Sequence, residues 1–200
     1  MNNPQQPLEY DAVLGGENQI SSSHDLKMTT ERAINLLKAG DLGIRLWNQF
    51  IREETYIPSL KGVDLSRHNL SYVNFSNANL QDAKFSNTYL YAANFSNANL
   101  QGAKLNSYVQ CANFSNANLQ GADLSSADLT GADFCNADLT DTKFDGAKLC
   151  GAKLRNAIIA NTSFLNTNLE AADVTGTKIF LANVNKETLT EKISGIDKLN

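Results

Sequence analysis

Three cysteines, two histidines, three prolines and a single tryptophan are spread over 200 residues. So few cysteines and histidines cannot furnish a repeated metal framework. CxxC, HExxH, GxxxxGK(S/T) and GxSxG are all absent from the sequence, which removes the commonest metal, phosphate-loop and serine-hydrolase signatures. No run approaches the roughly 18 uncharged apolar residues of a membrane span. The opening MNNPQQPLEYDAVLGG has neither a basic n-region nor an apolar h-region, so a secretory signal is not expected and a cytoplasmic location is. Charge of one sign is lacking too. Lys and Arg number 17 against 21 Asp and Glu, a net charge of −4, too balanced for a general nucleic-acid binder. What is abundant is unusual: 25 Asn, 25 Leu and 22 Ala. An ordinary globular domain has no reason to carry as much Asn as Leu.

The excess resolves into a repeat. NFSNANLQ occurs at 74–81, 94–101 and 113–120, spacings of 20 and 19. A period of five lies inside it. Every fifth residue from Leu65 to Leu105, and again from Val109 to Val184, is apolar: 13 Leu, 7 Phe, 3 Val and 2 Ile. Two residues before them stands Ala at 16 of the 25 positions, with five Thr, two Val, Ser107 and His68 at the rest. A period of five fits neither the 3.6 of a helix nor the 2.0 of a strand, so it marks a recurring bend. Two residues after 14 of the 25 large ones comes Asn (77, 87, 97, 116, 136, 156, 161, 166) or Gly (102, 121, 131, 146, 151, 176). Both tolerate the positive φ that the third position of a type II turn requires. Four turns then close one coil, and coils stack at the sheet spacing of about 4.8 Å.

The runs Ala122-Asp123-Leu124, Ala127-Asp128-Leu129, Ala132-Asp133-Phe134 and Ala137-Asp138-Leu139 resemble those of pentapeptide repeat proteins, over about residues 63–185. The AVLGG run (Ala12–Gly16) followed by a Trp-containing helix is similar to cyanobacterial members. The resemblance implies an all-β solenoid, a right-handed quadrilateral β-helix, here of about six coils and roughly 30 Å. It also implies a non-catalytic protein without cofactor. Some members present an acidic rod that occupies the DNA site of type II topoisomerases.

The register predicts four interior columns, the third holding Phe75, Phe95, Phe114 and Phe134 in stacked order. The step from Leu105 to Val109 is one residue short and reads as a tightened corner. Solenoid ends must be capped. Residues 29–57 are expected to form a helical cap, with Thr29 or Thr30 as N-cap, Gly40 ending the first helix and Asp41 capping the second. Ile44, Trp47 and Ile51 should face the coil of Leu65 and Leu70. Residues 186–200 read as a short helical C-terminal cap, with Ile193 and Ile196 docking on an apolar group of Ile158, Ala160 and Phe180. Residues 1–28 read as a flexible tail and 58–185 as the β-helix. Caps at both ends favour a monomer, with a dimer through the helical cap as the alternative.

Chemistry is sparse. His68 falls in an inward slot, and Cys111, Cys135 and Cys150 read as reduced, incidental thiols, so no enzyme is expected. The ring Asp123, Asp128, Asp133 and Asp138 is the feature that fits DNA mimicry. Lys143, Lys148 and Lys153 follow 20 residues after the first three and should sit directly over them, which argues against a continuous acidic field. A different surface stands out. Tyr72, Tyr89, Tyr91 and Tyr108, four of the six tyrosines, fall on the second face by register, in slots otherwise polar. Aromatic rings with polar tips are favoured at protein interfaces, so these four are the expected partner-binding residues. The competing readings are plain cross-rung stacking and coverage by the tail through Tyr10 and Leu14. The expected partner is a protein, with no nucleic acid and no membrane.

Overall fold

The computed structural model describes residues 28–53, 56–179, 182–185 and 193–195. Single-residue parallel bridges climb the chain in four ladders. The first runs Asp64, Lys84, Lys104, Asp123, Lys143, Ser163, Asn183; the second Asn69, Tyr89, Tyr108, Asp128, Lys148, Asn168. The third runs Asn74, Asn94, Asn113, Asp133, Lys153, Asp173, and the fourth Asn79, Asn99, Asn118, Asp138, Ile158. Each rung lies 20 residues above the last, except for one 19-residue step on every ladder that crosses the short corner and a final 21-residue step from Asp173 to Ser194. The coil is therefore four-sided, in the register the sequence predicts.

Between ladders the chain turns through a left-handed residue. Asn77 sits at φ 60°, and Gly121 occupies the same place at φ 65°. Each turn closes with a bond such as Ala78 N–H to Phe75 O at 3.1 Å, while Phe75 N–H donates to Asn94 O of the next coil at 2.7 Å. Outward Asn and Asp just before the large residues also work as turn caps. Asn94 Oδ1 accepts the Ser96 N–H at 3.0 Å, and Asp123 Oδ1 the Ser125 N–H at 3.0 Å. Asn abundance thus has two structural causes, left-handed turns and side-chain caps.

The interior is apolar and aromatic at its centre. Phe95 stacks on Phe114 at 4.9 Å and Phe114 on Phe134 at 4.8 Å. Phe144 of the first column meets Phe134 edge-on at 5.5 Å and stacks on Phe164 at 5.1 Å. Thr in the small-residue slot keeps its hydroxyl paired: Thr142 donates to Leu119 O at 2.8 Å and Thr162 to Leu139 O at 2.7 Å. Among the described residues no buried polar side-chain atom lacks a partner.

Two helices close the N-terminal end. Helix α1 is Thr30–Lys38, with Thr29 as N-cap accepting from the Arg32 N–H at 3.2 Å. Helix α2 is Gly40–Glu53. Asp41 lies in its first turn rather than at its cap, because Gly40, at φ 70°, already makes the bend. A Cβ on Gly43 would stand 1.9 Å from Leu36 O, so only glycine lets the two helices pack this closely. Trp47 is fully buried against Phe75, ring centroids 6.1 Å apart, and its Nε1 donates to Asn74 O at 2.8 Å. Asn48 donates to Tyr72 O at 2.9 Å and accepts from Asn74 N–H at 2.7 Å. The cap is thereby bonded to the third face and its approach, on the coil that also contains Leu65 and Leu70.

The ends differ from expectation at two points. Met28, read as the last residue of a tail, is buried with the cap helices; residues 1–27 lie outside those described. At the far end the expected helical cap is not helical where it can be seen. Ser194 pairs in parallel with Asp173, its N–H on Ala172 O and its carbonyl on Val174 N–H, both at 2.8 Å. The open rim of a coil presents unpaired backbone groups, and a further rung satisfies them better than a helix would. Ile193 accordingly turns into the third-face end of the core instead of docking beside Ile158, which stays 55% exposed. Phe180 and Ile196 lie outside the described residues.

Candidate functional site

The coils between residues 60 and 120 have two plain faces and two marked ones. On the third and fourth ladders the rungs are Asn throughout, and Asn94 Nδ2 bonds Asn74 Oδ1 at 3.1 Å. On the second ladder Tyr89 and Tyr108 replace that Asn and stack at 5.0 Å with a 10° interplanar angle. At the corner beyond, Tyr72 and Tyr91 meet edge-on at 5.5 Å. The structure thus brings the four tyrosines together as two pairs in adjoining positions. They are 65% (Tyr72), 55% (Tyr89), 45% (Tyr91) and 48% (Tyr108) exposed.

As Arg67 (φ 64°), Ala92 (φ 52°) and Cys111 (φ 58°) do at theirs, Tyr72 fills a left-handed turn slot. Its φ is 62°, a left-handed conformation that costs a residue with a Cβ about 1–2 kcal/mol. Bulky residues reach this region rarely. The period-five pattern names Tyr72 as a turn residue, in the slot that requires positive φ.

The register also places basic residues on the first face. Lys84 lies directly below Lys104 on the first ladder, and exposed Arg67, at φ 64°, occupies the corner between first and second faces. Stacked like charges repel. The ladder places Asp64 below the two lysines and Asp123 above them. The available signal was the outward slot itself: wherever it holds neither Asn nor Asp, the turn cap is lost and something else has been substituted.

The acidic ring behaves differently. Asp123, Asp128 and Asp133 pair in the ladders with Lys143, Lys148 and Lys153, and Lys153 Nζ lies 3.6 Å from Asp133. Burial, the largest influence on Asp123, Asp133 and Asp138, raises their pKa. It is outweighed by bonds from Ser125 and Asn106, from Cys135 with Lys153, and from Thr140 and Gln120 respectively, so all three end below the ordinary value. Asp173 is held at about 2, first by the Thr175 hydroxyl and N–H and then by the Arg155 guanidinium. These carboxylates serve their own turns.

The remaining candidates join no site. His68, expected as a core residue, is half-buried with Nδ1 2.8 Å from Ser66 O. Cys111, Cys135 and Cys150 are free thiols, and burial followed by the neighbouring Asp133 pushes Cys135 up. Among the described residues no cluster of metal-ligating side chains occurs and no helix is long and apolar enough to cross a membrane.

The family model for Pentapeptide repeats matches in eight copies, over residues 59–97, 69–106, 112–151 and 151–185. The chain belongs to the pentapeptide repeat family. Pentapeptide repeat proteins fold as right-handed quadrilateral β-helices, in agreement with the four ladders. Among solved structures this chain is similar to QnrB1, a plasmid-mediated fluoroquinolone resistance protein, at 21% identity over 70% of this chain and 78% of that one, TM-score 0.31. It is 36% identical to a pentapeptide repeat protein from the thylakoid lumen of Arabidopsis thaliana, over 58% of this chain and 68% of that one, TM-score 0.21. It is 24% identical to HetL, a pentapeptide repeat protein involved in heterocyst differentiation regulation in the cyanobacterium Nostoc sp. strain PCC 7120, over 62% and 80%, TM-score 0.20. At these TM-scores the superpositions are partial, and membership rests on the repeat itself. No curated protein sequence matches the chain.

Proposed function

We propose that this pentapeptide repeat protein is a non-catalytic scaffold that binds a protein partner through the N-terminal half of its second face, with Tyr72, Tyr89, Tyr91 and Tyr108 as the contact. One observation carries the reading. In the same coils the third and fourth faces repeat NFSNANLQ without change, while the second face exposes two tyrosine pairs, one member in strained backbone. Exposed aromatic rings with hydroxyl tips supply large contact area at low entropic cost. Three unpaired thiols fit a reducing, cytoplasmic setting. The coil is closed at one end by helices and at the other by an added rung, which favours a monomer.

The test is affinity capture with the full chain and with Tyr89→Ser/Tyr108→Ser. A protein retained by the first and lost by the second supports the assignment; equal capture by both overturns it.

A second reading, a DNA mimic acting on a type II topoisomerase, is favoured by the ring Asp123, Asp128, Asp133 and Asp138. It ranks lower because lysines stand on three of the four in the next coil, and a supercoiling assay with gyrase separates the two.

A further inference from the structure

We propose that residues 4–14 of the chain's own N-terminal segment occupy the tyrosine face when no partner does, so that partner binding is self-limited. The inference rests on the partner-binding reading of that face and adds its regulation.

Reach permits it. The described chain begins at Met28, buried with the cap helices, and Thr30 Oγ1 donates to Ser59 O at 3.0 Å. From there residues 15–27 can extend about 45 Å. Tyr72 to Tyr108 spans three coils, about 10 Å along the stack. Tyr72 is moreover bonded through its carbonyl to Asn48 of α2, so the face begins at the cap from which the segment departs.

Charge favours it. Residues 1–27 hold Glu9, Asp11, Glu17 and Asp25 against Lys27 alone. On the neighbouring first face Lys84 and Lys104 follow each other on one ladder, between Asp64 below and Asp123 above, with Arg67 at the corner shared with the second face. Three cations against two carboxylates leave a net positive charge there, which attracts an acidic segment.

Chemistry agrees with it. Two of the chain's three prolines form Pro4-Gln5-Gln6-Pro7, followed by Leu8, Tyr10 and Leu14 interleaved with Glu9 and Asp11. PxxP segments dock against aromatic surfaces because the polyproline conformation is already ordered and loses little entropy. The stack of Tyr89 on Tyr108 and the pair of Tyr72 with Tyr91 rise on either side of the Leu90 position as two aromatic ridges.

The experiment uses the full chain with Tyr10→p-benzoylphenylalanine, irradiated at low protein concentration and mapped by mass spectrometry. Cross-links within one chain to Tyr89, Tyr91 or Tyr108 are expected. Lys84→Glu/Lys104→Glu should lower their yield about fivefold, the worth of two exposed ion pairs. Adding Glu9→Lys/Asp11→Lys should restore it, which a merely unfolded variant would not do. Cross-links elsewhere, none at all, links only between two chains, or no recovery in the charge-swapped protein would each overturn the proposal. Partner capture, measured separately without the photoprobe, keeps the two readings apart. A partner lost on Tyr89→Ser/Tyr108→Ser with no tail cross-link sinks the tail alone, whereas a tail cross-link with equal capture sinks the partner assignment.

Discussion

Asn106 donates its side-chain amide to the Ser125 carbonyl at 2.9 Å. In a regular coil that carbonyl is reached by a backbone N–H: Asn87 N–H bonds Asn106 O at 3.1 Å, and Ser126 N–H bonds Asp145 O at 2.9 Å. The 105–109 corner lacks the left-handed residue that would supply the donor, and Asn106 stands in for it. Ser107 Oγ, in turn, donates to Phe85 O and accepts from Thr88 N–H at 3.1 Å, so both side chains of the shortened corner bond to backbone.

Asn106→Ala should therefore cost about 1 kcal/mol, the net worth of a partly buried hydrogen bond. Inserting one Gly between Asn106 and Ser107 restores both the five-residue period and the backbone donor. On the Asn106→Ala background it should recover the loss. Urea denaturation of the two variants is the measurement, and an insertion that destabilises further would show that the short corner is itself required.

Tyr72→Asn should do the opposite of a usual surface truncation. The left-handed position relaxes by up to about 1 kcal/mol, while the edge contact with Tyr91 loses a comparable amount. Thermal melting should move little. Partner capture should nonetheless fall, because the ring is gone. Such a split between stability and binding is what strain held at a functional site produces.

Ala132→Phe tests the interior. Ala132 is fully enclosed in the coil that holds Phe134, whose ring already stacks on Phe114 at 4.8 Å. Overpacking of this kind costs typically 1–3 kcal/mol or more. Chemical denaturation should show at least that loss, and a neutral result would mean that the coil can widen.

Much of this was legible in the sequence because a period of five leaves little freedom. Once Leu65, Phe85 and Leu105 share a column, every bridge of the first ladder follows, as does the seating of Lys143 over Asp123. The paired tyrosines followed from the same register. What escaped depends on atoms rather than positions. The amide of Asn106 and the hydroxyl of Thr142 act through bonds that periodicity does not encode. Ser194 pairs with Asp173 across 21 residues, one more than the repeat, so spacing pointed to a helix where an added rung closes the coil.

Acid should weaken the fold through its turn-capping carboxylates. Asp64, Asp123, Asp133, Asp138 and Asp173 all have folded pKa values below the ordinary one. A depressed folded pKa contributes stability that is fully present above the unfolded value near 3.9. That stability is lost as pH falls through the folded value, for Asp173 about 2. These groups therefore leave stability flat above about pH 5 and erode it between about pH 4 and 2. Solvent screening keeps each contribution small, so the loss should be gradual. Asp173→Asn should flatten the acid limb in a denaturation series, and an unchanged limb would show that its bonds to Thr175 and Arg155 contribute nothing.

The protein should fail to inhibit gyrase supercoiling at low micromolar concentration. A DNA mimic requires carboxylates that repeat along the rod without compensation. Here Lys143, Lys148 and Lys153 stack on Asp123, Asp128 and Asp133, at about 4.8 Å, and the carboxylates also accept their own turn amides. Reversing all three lysines to Glu would set like charges face to face, each pair repelling by about 1 kcal/mol in water. The variant should melt earlier at low ionic strength and recover in 1 M salt, where the screening length falls to about 3 Å. Inhibition by the unaltered chain would overturn the ranking of the two functions. Inhibition appearing only in the triple variant would show that compensation by those lysines is what keeps this rod from passing for a nucleic acid.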